Sequence, residues 1–515
     1  MVYALSIWLA SMLFRRVGGV VSVYLRRGLA KGEVVYGLSD IDLTVIVAGE
    51  EIGNTAKYKV KSIYDRLSCL IPLFGRGEKE LGVYSLSEFK RMYEDYNLHR
   101  FRFDEGRHTW RLLFGEDVVS ALPRLEEPAL RCLAAEELKV WWAAVSAELV
   151  PSVARPLFDR KYLWYKAISE LSKVLLFVCQ GQSIQNREEA LDNVRSYLSD
   201  EQRDLVDGVR GYIGHLTSRE EVDADLLVEL FIGLAVETLK ETERISCRES
   251  GGKTAVLDLP QRQDLILDSS VEDALRGVKA VIQSELSPYL DSVTLIPQAE
   301  FGLDVLSNSD IDSLYLALVR KKPVPTDKLG RLLSAIDGSI SRQRIEPFLV
   351  VDKRLAFSLG TGVQNDCIKT AAASPLFFCF LPQGTTDPLV VCCERDSGPI
   401  RCELAPAAFE ETIAKRVSKI DAVVATRDIY KVRPLDFLRF FWAAARTKLL
   451  ARSLEMDEMH IPLNSAQTVE AMVESYPEHS DWLRRLHREY VKELAGEENE
   501  SYRFYSPAID LLKWV

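Results

Sequence analysis

The sequence predicts a mixed α+β protein in two similar halves, each a small sheet-containing domain followed by a helical one. Three observations carry this expectation. Ser39-Asp40-Ile41-Asp42 recurs as Ser309-Asp310-Ile311-Asp312, 270 residues further on. The flanks match at the same spacing, Ser22 with Ser292, Val23 with Val293, Leu25 with Leu295 and Gly32 with Gly302. The later part of each half carries long helical periodicity, as in Tyr162 to Val178.

Each half then reads with one order of elements. An apolar helical stretch (Ile7 to Val17; Val271 to Leu290) leads to a short strand (Val21 to Leu25; Val293 to Ile296). In the first half that helix is expected to be amphipathic, with Leu5, Trp8, Leu9, Met12 and Leu13 as its apolar side. A loop with glycines follows, and then a strand rich in β-formers that carries the Asp pair, Leu43 to Val47 and Leu314 to Leu318. An amphipathic helix with Tyr58, Ile63, Leu67 and Leu70 on one face precedes a strand at Leu81 to Leu86; its counterpart is Phe348 to Val351. Gly181 suits the C-cap of the Tyr162 helix, and Arg187-Glu188-Glu189-Ala190 opens another. Phe437 to Leu454 and Ala466 to Glu474 are the late helices of the second half. Arg244 to Gln263, with its Ser-Gly-Gly and Leu-Pro-Gln, reads as the linker. The expected domains are 1–125, 126–245, 264–365 and 366–515.

Composition narrows the function classes. A chain of 515 residues exceeds what one core organises. Its 47% hydrophobic and 27% charged residues are those of a globular protein. The net charge of −11 argues against general nucleic-acid binding, which relies on basic surfaces facing phosphates, but leaves room for a pocket for one nucleotide. Nine dispersed cysteines without a C-x-x-C pair read as reduced, buried thiols, and the six dispersed histidines show no metal spacing. Met1 to Phe14 is apolar but too short to span a bilayer, and no other segment is long enough, so no membrane role and a cytoplasmic location are expected.

The Asp pair is where the chemistry lies. Two aspartates one residue apart on a strand point to the same face. Their carboxylates repel unless a cation lies between them, and hard oxygen ligands suit Mg²⁺ or Mn²⁺ together with substrate phosphates. A solvated D-x-D at a strand end is the plainer reading for a single copy.

Leu25-Arg26-Arg27-Gly28-Leu29-Ala30-Lys31-Gly32 followed by Gly37-Leu38-Ser39-Asp40-Ile41-Asp42-Leu43 resembles the DNA polymerase β-like nucleotidyltransferase superfamily. It looks closest to the antibiotic (aminoglycoside-type) branch, in which a helical domain follows the palm. The resemblance covers about residues 15–200, and more faintly 270–360. It implies two palm-like domains, the second degenerate, each followed by a helical bundle. It further implies Asp40 and Asp42 as metal ligands, with Glu80, opening the next strand, as third carboxylate or general base. Asp104 and Glu105 rival Glu80 for that role. Ser39, Arg27, Gly28 and Gly32 would border the nucleotide, and Lys166 and Lys173 would reach its triphosphate. Taken alone, each lysine reads first as part of a solvated face. Lys448 follows Phe440 by the spacing that separates Lys173 from Tyr165. Ser309, Asp310, Asp312 and Glu346 are the second-half equivalents. The pairs Trp141-Trp142 and Trp164-Tyr165 read as helix-packing core.

One departure stands out. Where the family has Gly-Ser, this chain has Arg27-Gly28 in the first half and Pro297-Gln298 in the second. The first half is therefore the expected active one. The resemblance implies transfer of a nucleoside monophosphate from an NTP, ATP first, to an acceptor hydroxyl, with an internal pseudo-dimer as a further expectation. The altered Gly-Ser motivates the alternative of an inactive nucleotide sensor or scaffold. A macromolecular acceptor, a protein or a tRNA, is the third reading.

Overall fold

The computed structural model describes residues 2–35, 39–74, 81–146, 157–181, 183–184, 186–215, 222–246, 253–257, 269–297, 312–337, 343–352, 355–359, 390–391, 400–404, 406–426, 433–456, 458–462, 465–495 and 501–514. They fall into two compact units and mix helices with sheets. The first comprises residues 1–141, 156–222 and 230–245; the second comprises 142–155, 223–229 and 246–515.

The first unit is built on a four-stranded sheet in the order β3-β2-β1-β4. Its strands are β1 (Val20–Leu25), β2 (Leu43–Val47), β3 (Leu81–Ser85) and β4 (Arg111–Gly115). β1 runs antiparallel to β2 and β4, while β2 runs parallel to β3. Both faces are covered, which is why all five residues of β2 are buried and why its sequence is a continuous β-forming run. Helices α1 (Val2–Arg15) and α3 (Glu50–Leu70) pack on Val23, Leu25, Leu43, Val45 and Val47. Tyr24 and Ile46 face the other way, onto Phe89 of α4 (Leu86–Asp95) and Phe103 of α5 (Asn97–Thr109). The short α2 (Arg27–Lys31) follows β1.

Two helix faces differ from those the sequence predicts. α1 buries Tyr3, Ser6, Ala10 and Phe14, leaving Leu5 62% and Trp8 57% exposed. The helix is apolar nearly all round, and Ser6 and Ala10, being small, let it approach the sheet closely. On α3 the buried stripe is Ala56, Val60, Tyr64 and Leu67, while Tyr58 and Leu70 are exposed. Tyr58 is two residues from Val60, about 200° around the helix, so the two cannot share a face.

The helical part of the unit contains α6 (Glu127–Ala134), α8 (Leu157–Gln180), α9 (Arg187–Asn193), α10 (Asp200–Gly214) and residues 230–245 of α11 (Ala224–Ser246); α7 (Glu137–Ser146) precedes α8. Trp164, Ile168, Leu171, Leu175 and Val178 form a fully buried stripe at three- and four-residue steps along α8. Gly181, at φ +69°, ends it, its N–H donating to the Phe177 carbonyl at 2.8 Å. Cys69 is exposed, and Cys132 and Cys179 are half-buried rather than buried; none of these three is in a disulfide.

In the second unit β5 (Lys253–Leu257) is the middle strand of a three-stranded sheet, antiparallel to β11 (Ile400–Leu404) and parallel to β12 (Glu458–Ile461). The stretch expected to be a linker thus holds a structural strand, and among the described residues the stretch expected to be helical holds β10 (Val390–Val391), β11 and β12. Strand formation here depends on distant partners, more than 140 residues away for β5 with β11 and 96 for β10 with β6, which local composition does not reveal. The larger sheet runs β10-β6-β7-β8-β9, with β6 (Leu290–Pro297), β7 (Asp312–Arg320), β8 (Gln343–Asp352) and β9 (Leu355–Ser358). Helices α12 (Ser269–Val281) and α13 (Thr326–Asp337) accompany it. The remaining helices are α14 (Pro406–Thr426), α15 (Pro434–Ser453), α16 (Ser465–Ser475), α17 (Ser480–Ala495) and α18 (Tyr505–Trp514). They share a core around Phe437, Phe441, Trp442, Leu483 and Leu512.

One three-strand pattern occurs in both units. β6 is antiparallel to β7 and β7 parallel to β8, as β1, β2 and β3 are to one another. The registers differ: Leu25 pairs with Leu43, whereas Leu295 pairs with Leu316.

Candidate active site

The site lies where β1 ends and β2 begins. Antiparallel pairing carries on past Leu25 and Leu43, so the Arg26 N–H donates to the Asp42 carbonyl at 3.0 Å. The chain then leaves the sheet abruptly. Arg27 has φ +58°, a left-handed conformation costly for any residue with a Cβ. Gly28 follows because nothing larger fits, since a Cβ there would stand 2.9 Å from the Glu33 carbonyl oxygen. That carbonyl belongs to a closed turn: the Glu33 N–H donates to the Gly28 carbonyl at 2.7 Å, and Gly32, at φ +80°, caps α2.

The Asp-bearing segment is held just as closely. Tyr3 Oη donates to the Ser39 carbonyl at 2.9 Å, and Ser39 Oγ accepts from the Val35 N–H at 2.9 Å. Ser39 Oγ also lies 3.4 Å from Tyr162 Oη of α8. The Ile41 N–H donates to the Leu73 carbonyl, and its side chain is fully buried. Asp42 is 7% exposed, and Asp40 is exposed. Asp42 Oδ1 is buried without an aligned hydrogen-bond donor; Arg27 Nη1 stands 3.1 Å from it, and the buried Arg26 guanidinium also feels the Asp42 charge. A buried carboxylate oxygen in that condition, with a second, exposed carboxylate two residues away, suits a hard divalent cation that completes its shell from phosphate oxygens and water. Among the described residues no three His, Cys, Asp or Glu side chains converge to cage a metal by themselves.

Behind the turn lies a network of buried charges. Glu33 accepts from Lys173 Nζ at 2.7 Å and from the Arg187 N–H at 2.8 Å. Glu170 accepts from Arg187 Nε and Nη2 at 2.9 and 2.8 Å, with Lys173 at 3.6 Å. Lys31 pairs with Glu105 at 2.6 Å. Burial pushes the Glu170 carboxyl up, but Arg187, Lys173 and Lys31 outweigh it and hold the group at about 2. Burial also pushes the Arg26 guanidinium down, helped by neighbouring Arg27. His99 is pushed down to about 4 by burial and by Arg102 and Arg26, so it is neutral at physiological pH.

The residues expected to touch nucleotide thus divide. Arg27, Gly28, Ser39, Asp40 and Asp42 stand together at the strand junction, with Gly32 closing the turn. Lys166 lies 5.8 Å over the Tyr162 ring, whose hydroxyl meets Ser39, and so borders the same place. Lys173 is 7% exposed and committed to Glu33 and Glu170, and is therefore part of the scaffold. Lys448 is equally buried, bonded to the Leu512 carbonyl and to Asp421 at 2.8 Å. Asp104 pairs with Arg107 at 3.1 Å, and Glu105 with Lys31. Trp142 and Trp164 are fully buried, as core residues should be. Glu80, Ser309 and Asp310 lie outside the described residues, and of Asp312 only the backbone is described.

In the second unit Asp312 pairs with Gln343 and Glu346 with Tyr315, which separates Asp312 from Glu346 by three residues along the ladder, about 10 Å. Ile296, 270 residues after Arg26, pairs with Tyr315 and not with Asp312. Sequence reasoning missed Glu33, Glu170 and Arg187. A scattered glutamate or arginine carries no sign of burial until its partners are known, and only the position of Glu33 directly after Gly32 hinted at it.

No protein-family model and no curated protein matches the chain. Among solved structures it is similar to the crystal structure of the spectinomycin adenyltransferase AAD(9) from Enterococcus faecialis with ATP and spectinomycin. The identity is 15% and the TM-score 0.31, over 45% of this chain and 98% of that one. No described helix is long and apolar enough to cross a membrane.

Proposed function

We propose that the chain is a divalent-metal-dependent nucleotidyltransferase with its active site in the first unit, moving a nucleoside monophosphate from an NTP, ATP first, to a hydroxyl of a small molecule. The observation that carries this is the buried Asp42 carboxylate, its Oδ1 without an aligned donor, at a glycine-containing turn beside exposed Asp40. Asp40 and Asp42 would hold Mg²⁺ or Mn²⁺, which when bound neutralises phosphate charge and eases departure of pyrophosphate.

The chain's own residues supply the rest. Gly28 closes the turn that carries Arg27 beside the Asp pair, and the Ser39 hydroxyl, anchored through Val35, orients the loop before the aspartates. Lys166 brings a positive charge to the same edge. The acceptor oxygen attacks the α-phosphorus, the bond to the bridging oxygen of the β-phosphate breaks, and pyrophosphate leaves. The acceptor's proton passes to a carboxylate, for which Glu80 is the proposed base. The second unit, with Pro297-Gln298 in the place of Gly-Ser and Asp312 displaced in register, is proposed to be inactive.

The test is pyrophosphate release with each NTP, Mg²⁺ and a panel of hydroxyl-bearing acceptors. Release lost in Asp40→Asn/Asp42→Asn and kept in Asp310→Asn/Asp312→Asn supports the reading. Nucleotide binding with no release from the wild type would favour the sensor reading, which the Arg27–Asp42 contact motivates.

A further inference from the structure

We infer that Arg27 is a tethered counter-cation for Asp42, which a divalent metal must displace and which then turns to the nucleotide's phosphates, so that metal and nucleotide bind as a coupled pair. The inference rests on the nucleotidyl-transfer reading and goes beyond it, because a glycine at this position has no charge to play that part.

A buried carboxylate needs compensating charge, and Arg27 Nη1 stands 3.1 Å from Asp42 Oδ1 without an aligned hydrogen bond. The contact is therefore mainly charge against charge and is readily exchanged for another cation. The Arg27 side chain is 46% exposed while that of Asp42 is 10% exposed, so the arginine can swing into solvent and the aspartate cannot. The left-handed backbone at Arg27, held by the closed Gly28–Glu33 turn, directs the side chain back over the end of β2. A divalent ion held by Asp42 would be repelled by a guanidinium against the same carboxylate, so each would weaken the binding of the other. The displaced guanidinium remains beside the turn at Gly28, where a phosphate offers it the planar, bidentate partner it binds best. Nucleotide drawing Arg27 away lowers the cost of metal entry, and by reciprocity metal strengthens nucleotide binding by the same factor.

The experiment is Mn²⁺ binding to the full chain, followed by electron paramagnetic resonance with and without a non-hydrolysable ATP analogue. Wild type, Arg27→Gln, Arg27→Gly and Asp42→Asn are compared. Without analogue, both Arg27 variants are expected to bind Mn²⁺ about tenfold more tightly than wild type, within the usual range of couplings between sites. With analogue the gap should close, because in wild type Arg27 has then moved away. Asp42→Asn should abolish the site. Equal Mn²⁺ affinity in wild type and both Arg27 variants, with binding still dependent on Asp42, would overturn the counter-cation role and leave the metal site standing. Tightening in Arg27→Gly alone would trace the effect to backbone strain and overturn it too. Absence of any Asp42-dependent Mn²⁺ binding, analogue present, would overturn the nucleotidyl-transfer reading and this inference together.

Discussion

Arg27 and Gly28 sit side by side with opposite relations to their backbone. Arg27 occupies a left-handed conformation that glycine would adopt without strain, while Gly28 sits where a Cβ would collide with the Glu33 carbonyl. Replacing Arg27 by Gly or by Gln removes the same contact with Asp42, so the difference between the two variants reports the backbone alone. Arg27→Gly should be more stable than Arg27→Gln by about 0.5–1 kcal/mol in urea unfolding, strain relief exceeding the entropy glycine adds to the unfolded chain. Gly28→Ala has no flexible neighbour to move, because the obstructing atom is backbone. It should cost about 1–3 kcal/mol and open the turn, seen as a lowered urea midpoint.

The element that matters most for the site is α8. Its apolar stripe builds the core, and its remaining face supplies Tyr162 and Lys166 to the strand junction and Glu170 and Lys173 to the buried network. Lys173→Gln leaves Glu33 and Glu170 sharing Arg187 in a buried setting, and should destabilise by about 3–5 kcal/mol. Lys166→Gln removes only a partly exposed charge over a ring, and should cost under about 1 kcal/mol while weakening nucleotide binding. Paired urea melts and nucleotide titrations separate the two roles. The acid limb of stability belongs here as well. Glu170 is held at about 2 against an ordinary 4.5, so below pH 4.5 the unfolded chain takes up a proton that the folded one refuses. The stability this carboxylate contributes is complete above pH 4.5 and is lost as pH falls toward 2, up to about 3 kcal/mol. Glu170→Gln should flatten that part of the pH–stability curve, measured by denaturant unfolding from pH 6 to 2.

Across the whole molecule, the two sheets share strand order and direction through three strands but differ by three residues in register. A shift of an odd number of residues moves a side chain to the other face of a sheet and, at three residues, about 10 Å along it. Asp42 and Asp312 therefore stand in different relations to the strand beside them. Asp310→Asn/Asp312→Asn should leave at least about 90% of wild-type pyrophosphate release, and Asp40→Asn/Asp42→Asn less than about 1%, the loss expected when charge stabilisation at a reacting phosphate is removed. The acidic balance of the whole chain, −11, predicts weak duplex-DNA binding that falls away by 0.15 M salt in a filter assay.

The amino-acid sequence by itself determined the α+β class, the recurrence of Ser-Asp-Ile-Asp, the strands β1, β2 and β3 and the long helix ending at Gly181. These depend on signals local to the chain: alternation, helical period, and glycine where φ is positive. It also placed Arg27, Gly28, Ser39, Asp40 and Asp42 in one neighbourhood, since a short antiparallel pair brings its flanks together. Only tertiary structure decided which faces of α1 and α3 are buried, because both helices offer more than one apolar stripe and the partner surface selects one. It alone decided that Lys173 belongs to a buried network and that Arg27 faces Asp42, since a charged residue reads the same in sequence whether its partner is water or a carboxylate 140 residues away. Strand register and the strand at Lys253–Leu257 were likewise settled by distant pairing, which a chain read from end to end does not contain.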